Sequence, residues 1–508
     1  MSQTDLNRSF NNPERRIEAI TTACEAFDHN EEGKHNVELY HGAAHALARL
    51  LAATNREDEL RMILAATEMV FRGSPKSVTA VFPKLTGFLS NLLRLLERLE
   101  QTKPAHAEVS LLNISRVLYS SSRSSELRSL ILRQPGMLQM LSHSPSNPDC
   151  RLSRIHLLAN LSNCEDNKIL LYEQKNLLEG VLRIAHLDPS PVARQYAAAA
   201  LCEFSSAPAN QVSMANDTVL GTTVKMVLAE KSAHTRESAT TVLQNLAFPK
   251  KNRSVLVEFK QGVVLEALKQ TLSSDPIATS RRRAAGALTN LVCEETALRM
   301  GQQKGLLDTL AIVATKDENV DVQSRAALAL TKIGGLINVR DTCHDALLDA
   351  LVVASLSRAN NSVMSVLRVK ARHPDHREVL ARHAGVMDTL CDVLVANKQT
   401  STTDRDSAIR AILHLVNEDK NRKLLCNKTV LSALVSAADA TDTQSASIRT
   451  LERLATETSN RAFMAHHEGL LVIVAAAVER EAEWEREGHT SEFGRLAKPL
   501  LMSLLVAM

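Results

Sequence analysis

The 508-residue chain carries 60 basic and 57 acidic residues, a net charge of +3, so its overall composition announces neither a nucleic acid nor an anionic membrane as partner. A hydrophobic share of 44% is enough to build a core, and aromatics at 3% suit packed Leu, Ala and Val while disfavouring strand-rich folds. The length exceeds what one compact core commonly holds, whereas a stack of repeats has no such ceiling.

Residues 1–13 are polar and are expected to form a disordered N-terminus; they lack the apolar core of a signal peptide, which argues against secretion. Residues 14–84 read as irregular helices and a capping repeat, with helices expected over 14–28, 36–54 and 57–72. The sequence AAHALARLL, containing Arg49, offers a first copy of the pattern described below. Regular repeats are expected over 85–480, and 481–508 as a charged extension with a C-terminal capping helix. That last helix, LLMSLLVAM, follows Pro499 and is about half the roughly 18–20 residues of a membrane span, a length that no apolar run reaches. Eight cysteines are dispersed without a C-x-x-C pair, which fits a reducing compartment, cytoplasmic or nuclear.

The organising pattern is clearest in SRRRAAGALTNLV, residues 280–292. Ala284, Ala287, Leu288 and Leu291 form one stripe of an α-helix, while Arg283, Gly286 and Asn290 lie on another face. Aligned on Asn290, the same helix recurs with Asn160, Glu203, Asn245, Lys332, Arg368, His414 and Arg453 at that ladder position. Upstream, AEVSLLNIS offers Asn113, or Val117 one turn on. A second marker, a turn residue opening an apolar helix, falls at Gly136, Asn176, Thr218, Gly262, Gly305, Ala346, Gly385, Thr429 and Gly469, with Gly87 ahead of them. Its spacing, about 39 to about 44 residues, is that of two- or three-helix solenoid repeats. The segment 338–372 is the least regular. Between helices, 143–149, 187–192 and 273–280 read as loops with helix-stopping prolines and capping Ser or Asp.

A helix of the form A-x-x-A-L-x-N-L, led by Arg or Gln nine residues before the Asn, resembles the third helix of armadillo repeats. Arg151, Arg194, Arg236, Arg281, Gln323 and Arg405 hold that leading position. The resemblance covers about residues 85–480 and implies an all-α, right-handed α-solenoid of about nine or ten repeats with irregular ends. It also implies a groove lined by the third helices, in which a ladder Asn hydrogen-bonds the main chain of an extended partner peptide. Carried over, that role falls on Asn160, Asn245 and Asn290; an amide suits it by donating and accepting together.

The C-terminal half of the inferred groove is basic. Arg283, Arg325, Lys332, Arg368, Arg410, His414, Arg449 and Arg453 share the face, and Glu203 is the acid at the inferred positions from Asn160 to Arg453. Glu294, Glu418 and Glu457 follow one turn further on and bound the stripe. The expectation is a non-enzymatic scaffold that binds an extended acidic or phosphorylated protein segment, without cofactor or metal. An adaptor of the importin-alpha type is the alternative. Against it, His156, Thr241 and Gly286 stand where such adaptors carry Trp, and no basic autoinhibitory arm precedes the repeats. Nucleic-acid binding by the basic stripe is a second alternative, disfavoured because the stripe has no aromatics for base stacking.

No Gly-rich phosphate loop, H-E-x-x-H or nucleophile elbow is present. His466-His467-Glu468 reads as a polar loop, since adjacent helical histidines point about 100° apart. Lys250-Lys251-Asn252-Arg253 reads as an inter-helix loop; its other reading is a basic import signal.

Overall fold

Small and apolar residues at helical spacing, punctuated by Gly, Asn, Ser and Pro, give helices through the described residues. The computed structural model describes residues 47–51, 57–73, 88–102, 107–143, 145–338, 341–355, 362–395, 400–440, 442–486 and 494–508. Among the described residues there is no strand. The expected disorder of 1–13, the helix at 14–28, most of that at 36–54, and Gly87 lie outside them.

Contacts divide the chain into two units, 1–249 and 250–508. In the first, three complete triads of helices follow Glu57–Gly73, Phe88–Thr102 and Ala107–Ser122. They are Ser125–Leu132, Met137–Ser142, Pro148–Ser162; then Glu165–Tyr172, Lys175–Leu187, Pro191–Ser206; then Pro208–Met214, Asp217–Ala229, Ala233–Leu246. The second unit continues the scheme from Lys250–Glu258, Val263–Ser274 and Ala278–Leu291 to Thr458–Ala465, Leu470–Arg486 and Gly494–Leu505. Within each unit, first helices pack on first, second on second and third on third, so the architecture is an all-α solenoid.

The markers read from sequence hold these elements. Gly136, Gly262, Gly305 and Gly469 each have positive φ at a helix N-terminus, a conformation that favours glycine. Asn147 and Ser190 cap the next helices through side-chain acceptors. Pro148 and Pro191, expected to stop helices, instead start them, because the first helical N–H has no intrahelical partner to lose. Lys250-Lys251-Asn252-Arg253 is likewise a first helical turn, with Asn252 buried, and not a loop. The irregular segment resolves into His344–Ser355 and Ser362–Arg372, with the Asp341 N–H bonded to the Asn338 carbonyl and no first helix among the described residues.

The small residues let third helices approach closely. Ala284, Ala287, Leu288 and Leu291 are 0% exposed, as are Ala329 and Leu330 on Val320–Leu336. Gly494–Leu505 takes the third-helix place at the C-terminal end, packing on Gln444–Ala455 and Leu470–Arg486.

The leading arginines are staples between repeats. Arg151 Nε donates to Asp188 (2.6 Å), Arg194 Nε to Glu230 (2.5 Å), and Arg405 Nη2 to Asp442 (2.8 Å). Arg281 is bidentate to Asp317 at 2.7 and 3.0 Å, and also donates to the Asp275 and Pro276 carbonyls. Gln323 keeps only the carbonyl bond, to Asp317 (2.6 Å). Burial opposes ionisation of Asp317, but the Arg281 bond, the Asn319 amide and the Arg281 charge outweigh it and hold its pKa below the usual value.

Overpacking Ala287 or Ala329 with Leu should lower stability by about 1–3 kcal/mol, read as shifted denaturation midpoints. Arg281→Ala strands a buried carboxylate and should cost about 3 kcal/mol near neutral pH. Asp317 is depressed in the fold, so its contribution is present above the ordinary carboxylate pKa of about 3.9 and is lost as pH falls through the folded value. Denaturant titration of Asp317→Asn should therefore show a deficit at pH 7 that shrinks below about pH 4.

Candidate peptide-binding face

In the first unit the ladder amides are partly engaged. Asn160 Nδ2 donates to Ser122 Oγ (2.9 Å) and Asn245 Nδ2 to Ser205 Oγ (3.0 Å), each on the preceding third helix. Both asparagines are half-buried, and each keeps a second N–H and its Oδ1. Ser205 lies two residues past Glu203, so by the same offset the ladder position of Ala107–Ser122 falls at Ser120, not at Asn113 or Val117. Glu203 itself is 3.2 Å from Lys168, which also bonds Glu165 (2.7 Å) and Ser206 (2.8 Å).

His156 does not leave its place without aromatic character. Its ring packs between Tyr119 and Tyr196, with centroids 4.9 and 3.6 Å away. Burial lowers its pKa to about 4, so the ring is neutral near pH 7. Tyr119 and Tyr196 stand on the third helices on either side of the one that carries His156, a juxtaposition that no local motif announces.

In the second unit Asn290 is half-buried and has no hydrogen-bond partner among the described residues, leaving its whole amide available. Arg325 and Lys332 are exposed, and Lys332 Nζ reaches the Thr289 carbonyl at 3.4 Å. Arg283 and Arg449 are half-buried, while Arg453 is exposed and lies 3.9 Å from Glu452.

Three of the expected residues converge. Arg410 Nε donates to Asp406 Oδ1 at 2.6 Å, and Arg368 Nη1 lies 3.6 Å from Asp406 Oδ2. One turn beyond Arg410, His414 is half-buried; burial first, then the charges of Arg377, Arg372, Arg368 and Arg410, push its pKa below the usual imidazole value. Asp406, just outside the positions inferred for the stripe, places an acid beside it. It lies four residues before Arg410, on the same helix face, and draws in Arg368 from the neighbouring repeat. Glu418 and Glu457 stand at helix N-caps.

A second asparagine ladder lies beneath the first and was missed in the sequence. In each first helix from Glu165–Tyr172 onward the third residue is buried: Asn167, Asn210, Asn252, Thr296, His376, Asn421 and Asn460. Asn167 Nδ2 donates to the Leu161 and Arg128 carbonyls, and Asn210 to those of Phe204 and Lys168. Asn421 bonds Leu415 and Arg377, and Asn460 bonds Leu454 and Arg422. The recurrent Asn-Lys/Gln/Arg pair, at 167, 210, 252, 421 and 460, was the available signal.

His466 Nδ1 donates to the Ala462 carbonyl, and His467 is engaged with Glu468 and Ser432. Among the described residues no group of three His, Cys, Asp or Glu side chains is placed to hold a metal, and no single helix is long and apolar enough to cross a membrane.

The two ladders separate by experiment. Asn421→Ala strands two carbonyls and should cost about 2 kcal/mol of stability, whereas Asn290→Ala should leave the denaturation midpoint within error.

No family model matches the chain, and no curated protein matches it in sequence. Solved structures do match in fold. A structure of the cadherin–β-catenin interaction, described for its phosphorylation switch, aligns over 100% of this chain and 99% of that one, at a TM-score of 0.62 and 14% identity. An engineered protein aligns over 90% and 99% at a TM-score of 0.59 and 18% identity. A designed armadillo repeat protein aligns over 48% and 98%, at a TM-score of 0.41 and 17% identity. With the first two of these structures the chain shares its fold, an all-α solenoid of helical repeats.

Proposed function

We propose that the chain is a non-enzymatic scaffold that binds an extended acidic or phosphorylated protein segment along its third-helix ladder. One observation carries this reading. Arg368 and Arg410, from neighbouring repeats, already close on a carboxylate, that of Asp406, in front of His414. Charge-assisted bonds of this kind suit a carboxylate or phosphate equally, and arginine offers the planar fork that either anion fits. Asn290 supplies the complementary grip on main chain within the second unit, as Asn160 and Asn245 do within the first, since their spare amide groups match peptide N–H and C=O without regard to side chain. Arg283, Arg325, Lys332, Arg449 and Arg453 extend the cationic field that draws the segment in.

The test is titration of a Glu- and Ser-rich peptide, plain and phosphorylated, against the full chain at low and high salt, with a Lys-rich peptide as control. Binding of the acidic peptides should weaken with salt, because screening shortens the range of exposed charge interactions to about 8 Å at physiological ionic strength. Reversing Arg410 and Arg453 to Glu should weaken it by about tenfold at low salt, and reversing Lys251 and Arg480, off the ladder, by much less. Asp406→Asn releases Arg368 and Arg410 and should tighten binding. Asn290→Ala should cost about 1 kcal/mol with either acidic peptide. Equal losses from the two reversals, or preference for the Lys-rich control, overturn the reading.

A further inference from the structure

The segments 341–355 and 362–382, which carry the second and third helices of the irregular repeat and the first helix of the next, break the rule that governs their neighbours. In the other first helices from Glu165–Tyr172 onward the buried third residue is Asn or Thr, neutral at every physiological pH. Here it is His376, 5% exposed, on Pro374–Arg382. Its Nε2 lies 3.4 Å from Asn338 Oδ1, and its Nδ1 has no hydrogen-bond partner. Against it packs His344, 3% exposed, with ring centroids 5.5 Å apart. Neither ring nitrogen of His344 has a hydrogen-bond partner. Lys370, also 3% exposed, completes the cluster and donates to the Ile337 carbonyl at 2.7 Å. Two imidazoles and an ammonium therefore share one buried site.

The surroundings offer little to neutralise further positive charge. Asp345, beside His344, points largely to water, its side chain 89% exposed, and is 3.8 Å away. Asp341 acts on His344 and Lys370, and Asp375 on His376, while His373 lies 6.3 Å from His376 and opposes its protonation. From the helices on the other side of Pro374–Arg382, Asn421 bonds the Arg377 carbonyl and Lys420 lies 3.9 Å from Glu378.

We propose that this junction between repeats is an acid-labile joint: on acidification from pH 7 to pH 5, protonation of the buried pair His344 and His376 beside Lys370 opens the packing of 344–355 against 362–382 while the amide-clipped repeats stay closed. A buried charge without a partner is costly, whereas the opened segment exposes both rings to water. Burial, and then the Lys370 charge, depress both histidines, His376 to about 4. A base depressed in the fold takes up its proton on opening, so opening gains favour as pH falls from about 6.5 toward the folded value. Lys370, lowered to about 8 by burial, is charged throughout that window and supplies repulsion without titrating. Its helix also carries Arg368, so opening would unseat one of the arginines that hold Asp406.

Hydrogen exchange of the full chain at pH 7.4 and 5.0, normalised for intrinsic rates, tests this without any ligand. Protection of 344–355 and 362–382 should fall by about tenfold or more at pH 5.0, while that of 165–172 and 208–214 should change little. His376→Asn, which installs the residue of the other repeats, should keep protection at pH 7.4 and reduce the acid response. The reciprocal Asn421→His should transfer acid lability to 419–425. A uniform acid response across repeats in the wild-type chain, or an undiminished one in a folded His376→Asn variant, overturns the proposal. The peptide-binding reading is untouched by either result.

Discussion

A helix that ends inside a packed stack leaves carbonyls with no intrahelical donor, and the repeat cannot close until something bonds them. In this protein a single buried amide meets that need. Asn167, Asn210, Asn421 and Asn460 each bond the end of the third helix just before them and a carbonyl of the preceding first helix. The two N–H groups of one side chain thus fix the angle at which a repeat begins and its offset from its neighbour. The placement of second and third helices follows from that start, and with it the spacing of the ladder residues.

The chain's many cations divide into two populations by burial. Arg151, Arg194, Arg281 and Arg405 are mostly covered and bonded to acids of the following repeat, so their charge is spent on holding the stack. Arg325, Arg410 and Arg453 are exposed on the third helices, where a charge contributes little to stability and remains available to a partner. Near neutrality of the whole chain conceals this division. Beside His414 the acid Asp406 stands between Arg368 and Arg410, its carboxylate 3.6 Å from the first and 2.6 Å from the second.

The irregular repeat follows from the same constraint. With no first helix described between 337 and 344, the Asn338 side chain stands in for the missing carbonyl, and His376 replaces the amide that would have bonded it. An imidazole offers one donor when neutral, not two, so His376 cannot clip two carbonyls as Asn does. The orphaned Nδ1 of His376 records that shortfall.

Sequence alone determined the repeat, its period and the packed stripe, because these depend on local spacing: Ala284, Ala287, Leu288 and Leu291 are one face of any α-helix they form. It also located the leading arginines and the ladder positions from Asn160 to Arg453, though not what they bond. Tertiary structure decided that Arg281 pairs with Asp317, that Asp406 draws Arg368 toward Arg410, and that Tyr119 and Tyr196 enclose His156. Each of these pairings joins residues roughly 40 positions apart, on separate repeats, so no pattern within one helix encodes it. The buried asparagines were written in the sequence at a regular interval, yet a polar residue in a polar motif reads as surface until the fold brings two unpaired carbonyls to it.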